Sequence, residues 1–179
     1  MKKLLWAACN GFAITVLLLS AQRTQAQDNP SLTDPEVAMV AVVANQIDIG
    51  YAAIAQKRSK DGEVLKFAET MKRDHMAVIK QASDLAKKLG VIPKENAVSK
   101  KLLADADNTK KLLNSKSGAA FNKAYIDNEV AYHKAVIDAV EKLLIPETEN
   151  AELKQLLQNV VPALKAHLAH AEMVQKNYK

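Results

Sequence analysis

The sequence is poor in the residues that make tight turns and cofactor loops. Its 179 residues include 5 glycines and 5 prolines, and aromatic residues make up 4%. So few turn formers exclude a β-sandwich or barrel and favour an all-α domain. No Gly-rich phosphate loop, no G-x-S-x-G serine and no paired cysteine motif occurs, so the residues name no reaction and support a non-enzymatic reading over an enzymatic one. Cys9 is the single cysteine. What is present is 49% apolar and 25% charged residues, the ordinary balance of one globular domain, with alanine, leucine and lysine prominent as helices prefer.

The N-terminus reads as an export signal. Met1-Lys2-Lys3 is a basic start, residues 4–19 are almost wholly apolar, and Thr24-Gln25-Ala26 puts a small residue before Gln27. The apolar run is shorter than the roughly 20 residues of a membrane helix, and Asn10 and Gly11 weaken it further. Trp6 stands where a lipobox wants leucine, which argues against a lipid on Cys9. The expected division is a signal peptide at 1–26, a polar leader at 27–33 and a helical bundle at 34–179. Cleavage removes Cys9, so neither disulfides nor thiolate ligands are expected in the mature chain. It also removes Lys2, Lys3 and Arg23, which leaves 22 basic residues against 20 acidic ones, a net charge of +2 rather than +5. The lysine pairs Lys87-Lys88, Lys100-Lys101 and Lys110-Lys111 lie beside acids without interleaved aromatics. That is a solvated helix face, not a nucleic-acid groove. The expected location is periplasmic or secreted, with association at the outer membrane as a further option. Other envelope components are the expected partners, and no transmembrane segment is expected after cleavage.

Four long helices are predicted. Thr33-Asp34-Pro35-Glu36 reads as a capping box opening helix A, which runs to about Lys57. Helix B follows Ser59-Lys60-Asp61-Gly62 and runs to Leu89, where Gly90 suits a left-handed C-terminal position and Pro93 prevents continuation. Residues 91–116 carry Leu102-Leu103 and Leu112-Leu113 among polar residues and read as a crossover with one or two short helices. Helix C runs from Ser117 to Ile145-Pro146, and helix D from Thr148 or Asn150 to about Asn177. Pro162 is expected to kink or break helix D near Val161. Short links pair A with B and C with D, and the long B-to-C segment permits the one-crossover topology of a ferritin-like four-helix bundle.

The apolar stripes of these helices are interrupted by polar residues. Helix B repeats Val64, Ala68, Met71, His75, Val78, Ala82, Leu85, Leu89. Helix C repeats Ile126, Val130, His133, Ile137, Val140, Leu144, and helix D Leu153, Leu157, Val160, Leu164, His167, Ala171, Val174. Each stripe is broken once, by histidine. Helix A places Asp48 in register with Val37, Ala41 and Ala44. Glu129 lies one turn before His133, and His170 three residues after His167. Asp74 adjoins His75 but points about 100° away on an ideal helix, a weaker candidate. Met39, Met71, Met76 and Met173 read as core fillers rather than a copper-binding set, and Tyr125 and Tyr132 as packing residues.

Buried imidazoles and carboxylates must be satisfied by one another, by water or by a metal. Asp48, His75, Glu129, His133, His167 and His170 are therefore candidate ligands for one Fe, Zn, Mn or Cu ion. The alternative is a structural or stress-related envelope bundle whose hydrogen-bonded polar layer only fixes helix register. A third reading is a pH-responsive bundle, because protonating buried histidines opposes packing.

The pattern resembles an exported bacterial family, domain of unknown function 4142, grouped with the ferritin-like superfamily. The matching stretches are Ala44-Asn45-Gln46-Ile47-Asp48-Ile49, Val64-Leu65-Lys66-Phe67-Ala68 through Arg73-Asp74-His75, and Ser117-Gly118-Ala119-Ala120-Phe121 through Tyr132-His133. Leu153-Lys154, Pro162 and His167-Leu168-Ala169-His170-Ala171 complete the set. The resemblance implies a fold and an envelope location but brings no established activity. Ferritin-like di-iron sites carry Glu-x-x-His on two helices. Here Lys72 precedes His75 by three residues and Leu164 precedes His167, so the bridging glutamates are missing. A mononuclear site or an inert polar layer fits better than di-iron chemistry.

Overall fold

A computed structural model describes residues 31–178 of the protein, and the expected signal peptide with most of the polar leader lies outside the described residues. Local capping chemistry sets the helix ends. At the start of α1 (Asp34–Arg58) the backbone N–H and hydroxyl of Thr33 both donate to the Glu36 carboxylate, at 3.0 and 2.8 Å. Asp61 begins α2 (Gly62–Leu89) by accepting from the N–H groups of Glu63 and Val64. Gly90, at φ 64°, closes α2, with Val91 N–H donating to Ala86 O and Gly90 N–H to Lys87 O. This is a Schellman ending, which needs the left-handed backbone that glycine adopts without cost.

The crossover differs from expectation. It holds one 18-residue helix, α3 (Ala97–Asn114), rather than one or two short ones. Asn96 caps it, and Ala106 and Leu113 bury a stripe on that face while Leu103 and Leu112 of the two leucine pairs stay exposed. After α4 (Gly118–Ala139), the helical path does not stop at Ile145-Pro146. It widens into a π segment, Val140–Leu144, in which Ile145 N–H reaches Val140 O, and continues through the short α5 (Ile145–Glu147). A π segment of this kind absorbs residues into a helix without breaking it, and Thr148 then closes the run by donating its hydroxyl to Leu144 O. Asn150 caps α6 (Ala151–Gln175), whose helical run continues through Pro162, so of the expected kink or break near Val161 the break does not occur. A single 3₁₀ turn, Lys176–Tyr178, follows. Among the described residues there is no strand.

Long-range hydrogen bonds fix the topology. Lys94 N–H and the Asn96 amide donate to Pro35 O and Glu36 O, so α3 starts beside the start of α1. Ser59 Oγ donates to Asn122 Oδ1 at 2.8 Å, which places the start of α4 beside the start of α2. The Asp34 carboxylate accepts from the N–H groups of Glu149 and Asn150, joining the starts of α1 and α6. Hence α1, α3 and α6 run one way and α2 and α4 the other, and the helical crossover spans the bundle. By length and composition α1 could cross a membrane; here α2, α3 and α4 pack around it.

The core has two parts. One gathers Ile47, Tyr51, Phe67, Met71, Phe121, Tyr125 and Ile126, and the other Val37, Val40, Ile137, Leu144, Leu153, Leu157 and Leu164. The stripe of α2 does not behave uniformly. Val64, Phe67, Ala68, Met71 and His75 are buried, but Val78, Ala82, Leu85 and Leu89 are only half-buried because they line a cavity of about 960 Å³. Phe67→Ala is therefore expected to cost about 3–5 kcal/mol in urea denaturation and Leu85→Ala less than half of that. Equal costs would show that the second half of α2 is packed core.

Candidate metal centre

Where the two core parts meet, each of the four main helices contributes a polar residue. His133 sits between Val130 and Ile137 of α4, His167 between Leu164 and Ala171 of α6, and His75 one turn beyond Met71 of α2. Asp48 and Glu129 are fully buried, and His75, His133 and His167 are at most 8% exposed. The imidazole centroids stand 5.8, 5.3 and 5.5 Å apart for the pairs His75/His133, His75/His167 and His133/His167. One donor atom from each histidine lies within 4.8 Å of the others, and the same holds for Asp48, Glu129 and His133. Five of the six residues proposed from sequence thus form one layer. His170 stands apart, edge-on to the Phe67 ring at 5.0 Å beside Glu63 and Lys66 in a surface cleft, and partial burial holds its imidazole below the usual histidine range.

The orientation of each ring follows from the partner of its outer nitrogen. His75 Nδ1 lies 2.7 Å from Asn45 Oδ1. The Asn45 amide is itself oriented, because its Nδ2 donates to Ala41 O. His133 Nδ1 lies 3.0 Å from Glu129 O, and His167 Nε2 lies 3.1 Å from Asp74 Oδ2. All three partners are oxygen acceptors, so each outer nitrogen carries the proton and donates. The inner nitrogens, His75 Nε2, His133 Nε2 and His167 Nδ1, then hold lone pairs, and none has a hydrogen-bond partner. Metal-bound histidines show this arrangement, the second nitrogen fixed by a carbonyl or carboxylate.

Asp48 Oδ2 stands 3.4 Å from His75 Nε2 and 3.6 Å from His133 Nε2. These separations are long for hydrogen bonds between such groups. They match the roughly 3.4 Å between two ligands that each bind one ion at about 2.1 Å in a tetrahedral shell. Both oxygens of Asp48 and both of Glu129 also lack hydrogen-bond partners. The electrostatics agree with a site short of positive charge. Burial pushes the Asp48 carboxyl up to about 7 and holds Glu129 well above the usual carboxylate range, the Asp48 charge adding to the latter. Burial likewise brings His75 down to about 3 and His133 down to about 4, so these imidazoles are neutral at pH 7.

Sequence reasoning missed Asn45 and undervalued Asp74. Asn45 precedes Asp48 by three residues on one face of α1, a spacing that could have signalled it. Asp74 points away from the His75 stripe as expected, but that direction takes it to α6, where it orients His167. An Arg73 ion pair holds the Asp74 carboxyl below the usual range, keeping it a charged acceptor. Tyr132 donates to Ala44 O at 2.8 Å and meets Tyr51 edge-on, while the buried Tyr125 hydroxyl has no hydrogen-bond partner. His75, His133, His167 and Asp48 also face the cavity.

The raised Asp48 carboxyl sets a pH dependence. Its ordinary value is about 3.9 in an unfolded chain, so the folded state holds the proton more tightly and the associated stability is lost as pH rises from about 4 through 7. Asp48→Asn is therefore expected to stabilise the metal-free protein at pH 8, by on the order of a few kcal/mol, and by much less at pH 4.5. Equal shifts in melting temperature at both values would contradict the buried, uncompensated carboxylate.

Among curated proteins none matches the sequence. Among solved structures the fold is similar to that described as CopM in the Cu(II)-bound form, with a TM-score of 0.62, 15% identity, and coverage of 84% of this chain and 100% of that one. At this identity the likeness is one of helical fold. A family model matches residues 19–174, most of the chain, and the protein belongs to the family described as domain of unknown function DUF4142.

Proposed function

We propose that the protein is an exported helical bundle that binds one divalent transition-metal ion through His75 Nε2, His133 Nε2, His167 Nδ1 and Asp48. Glu129 adjoins His133 and supplies a further buried carboxylate. The observation that carries the reading is the set of three converging imidazole lone pairs, each fixed by an acceptor on its outer nitrogen. Three nitrogens and a carboxylate suit the late first-row ions. Cu(II) is expected to bind more tightly than Zn(II), and Fe(II) and Mn(II) more weakly still. The Cu(II)-bound state of the CopM structure makes copper the first ion to test. The missing bridging glutamates direct the reading to capture or carriage of an ion rather than di-iron oxygen chemistry. Export rests on the basic start and apolar run of residues 1–26.

Thermal melts of chelator-treated protein test the proposal. At about 100 times its dissociation constant, one ion is expected to add about 2.7 kcal/mol of stability, and the gain is expected to vanish in His75→Ala/His133→Ala. No shift with any of the four ions would leave the layer as architecture. Asp74→Asn keeps every proposed ligand and loses only the charged acceptor behind His167, so metal affinity is expected to fall about 10- to 100-fold. Direct titration checks this, and unchanged affinity would remove Asp74 from the site.

A further inference from the structure

The cavity beside the histidine layer opens to solvent where the exposed Lys87 and Ile92 line it, and it is too large and too apolar to be a packing defect. Its volume of about 960 Å³ sits at the upper end of the range of small-molecule sites, whereas ordinary interiors hold few voids larger than a water molecule. It follows α2 from His75 to Leu89 and α6 from Leu153 to His167, roughly 21 Å at 1.5 Å per residue. Small residues keep it open: α1 presents Ala38 and Ala41, and α2 Ala82, where a packed core would carry leucine. Val78 and Leu85 of α2 and Val160 of α6 supply apolar walls. The polar end is made by Asp48, His75, His133 and His167, whose inner atoms lack hydrogen-bond partners although each residue is more than nine-tenths buried.

We infer that the cavity binds a free long-chain carboxylic acid, its alkyl chain along the apolar walls and its carboxylate at the histidine layer. The length suits one chain: half of a bilayer's hydrocarbon core, the reach of one acyl tail, is about 15 Å. The choice of head group rests on the metal reading above. A bound divalent ion attracts an anionic oxygen donor, repels an ammonium head and gains little from an alcohol, while a plain alkane would leave the polar end desolvated without compensation.

The test is calorimetric titration of the full mature protein with palmitate, hexadecanol and hexadecyltrimethylammonium, before and after loading with Cu(II) or Zn(II), with metal content measured separately. Metal-loaded protein is expected to bind one palmitate, and the other two at least roughly tenfold more weakly. Ala82→Trp fills the cavity away from the layer and is expected to abolish palmitate binding while metal uptake persists; Ala82→Leu, a smaller change, is expected to weaken binding if the tryptophan variant does not fold. Absence of palmitate binding to metal-loaded protein overturns the inference. So does unchanged binding in a folded, metal-loaded Ala82→Trp, which would mean adsorption on the surface, or equal binding of all three probes. If the protein takes up no metal, the metal reading has failed separately. Palmitate binding that persists in that case and is lost in Ala82→Trp supports the cavity, and its absence overturns the inference as well.

Discussion

Three outward-facing hydrogen bonds organise the centre of this bundle. Asn45 Oδ1, Glu129 O and Asp74 Oδ2 each take the proton-bearing nitrogen of one imidazole. Because each bond commits one nitrogen to donation, the other is left as a lone pair directed at the other helices. Asn45 of α1 fixes a ring of α2 and Asp74 of α2 fixes a ring of α6, so those two orientations depend on helix packing, while Glu129 O holds His133 from within α4. The hydrogen bonds from Asp34 to the start of α6 and from Ser59 to Asn122 hold the relative positions of those helices from the two ends. Stability at the ends and preorganisation in the middle are thus separate duties of separate residues.

The layer lies between the two apolar parts of the core, and burial there raises the affinity of its carboxylates for protons. The same burial makes the metal-free arrangement costly wherever a polar atom is left without a partner. Large aromatic packing on one side of the layer, with Phe67, Phe121, Tyr51 and Tyr125 all within 2% of full burial, offsets that cost. On the other side the second half of α2 forgoes core packing to leave a cavity, so the bundle is firm at one end and open at the other.

Much of this was legible in the sequence because it is governed by local chemistry. Asp61, Gly90 and Asn150 end or begin helices through contacts within a few residues, and histidine interrupting an apolar stripe is visible in any one helix. The rest depends on which helix faces which. Asp74 lies about 100° from the His75 stripe, a direction without meaning until α6 is known to lie there. Val78, Ala82, Leu85 and Leu89 have the same periodicity whether they pack a core or line a lumen. The long α3 was hidden because its buried stripe uses only one residue from each leucine pair, and the π segment at Val140–Leu144 leaves no periodic signature over five residues.

A count of protons bears on the choice between a metal site and a hydrogen-bonded layer. With the outer nitrogens donating, the inner side offers three imidazole lone pairs and the oxygens of Asp48 and Glu129, all acceptors. The protons available to share are those the two carboxyls hold when neutral and that of the buried Tyr125 hydroxyl, which has no partner of its own. The observed 3.4 and 3.6 Å separations between Asp48 Oδ2 and the two Nε2 atoms are also wider than shared protons favour. Ionising a histidine instead would put a cation where burial holds His75 at about 3 and His133 at about 4. On the proposed reading one divalent ion would satisfy every inner nitrogen at once and compensate the carboxylates. Specificity of helix register could be had from a single hydrogen-bonded pair, so the convergence of five acceptors is the feature that the proposed cation accounts for.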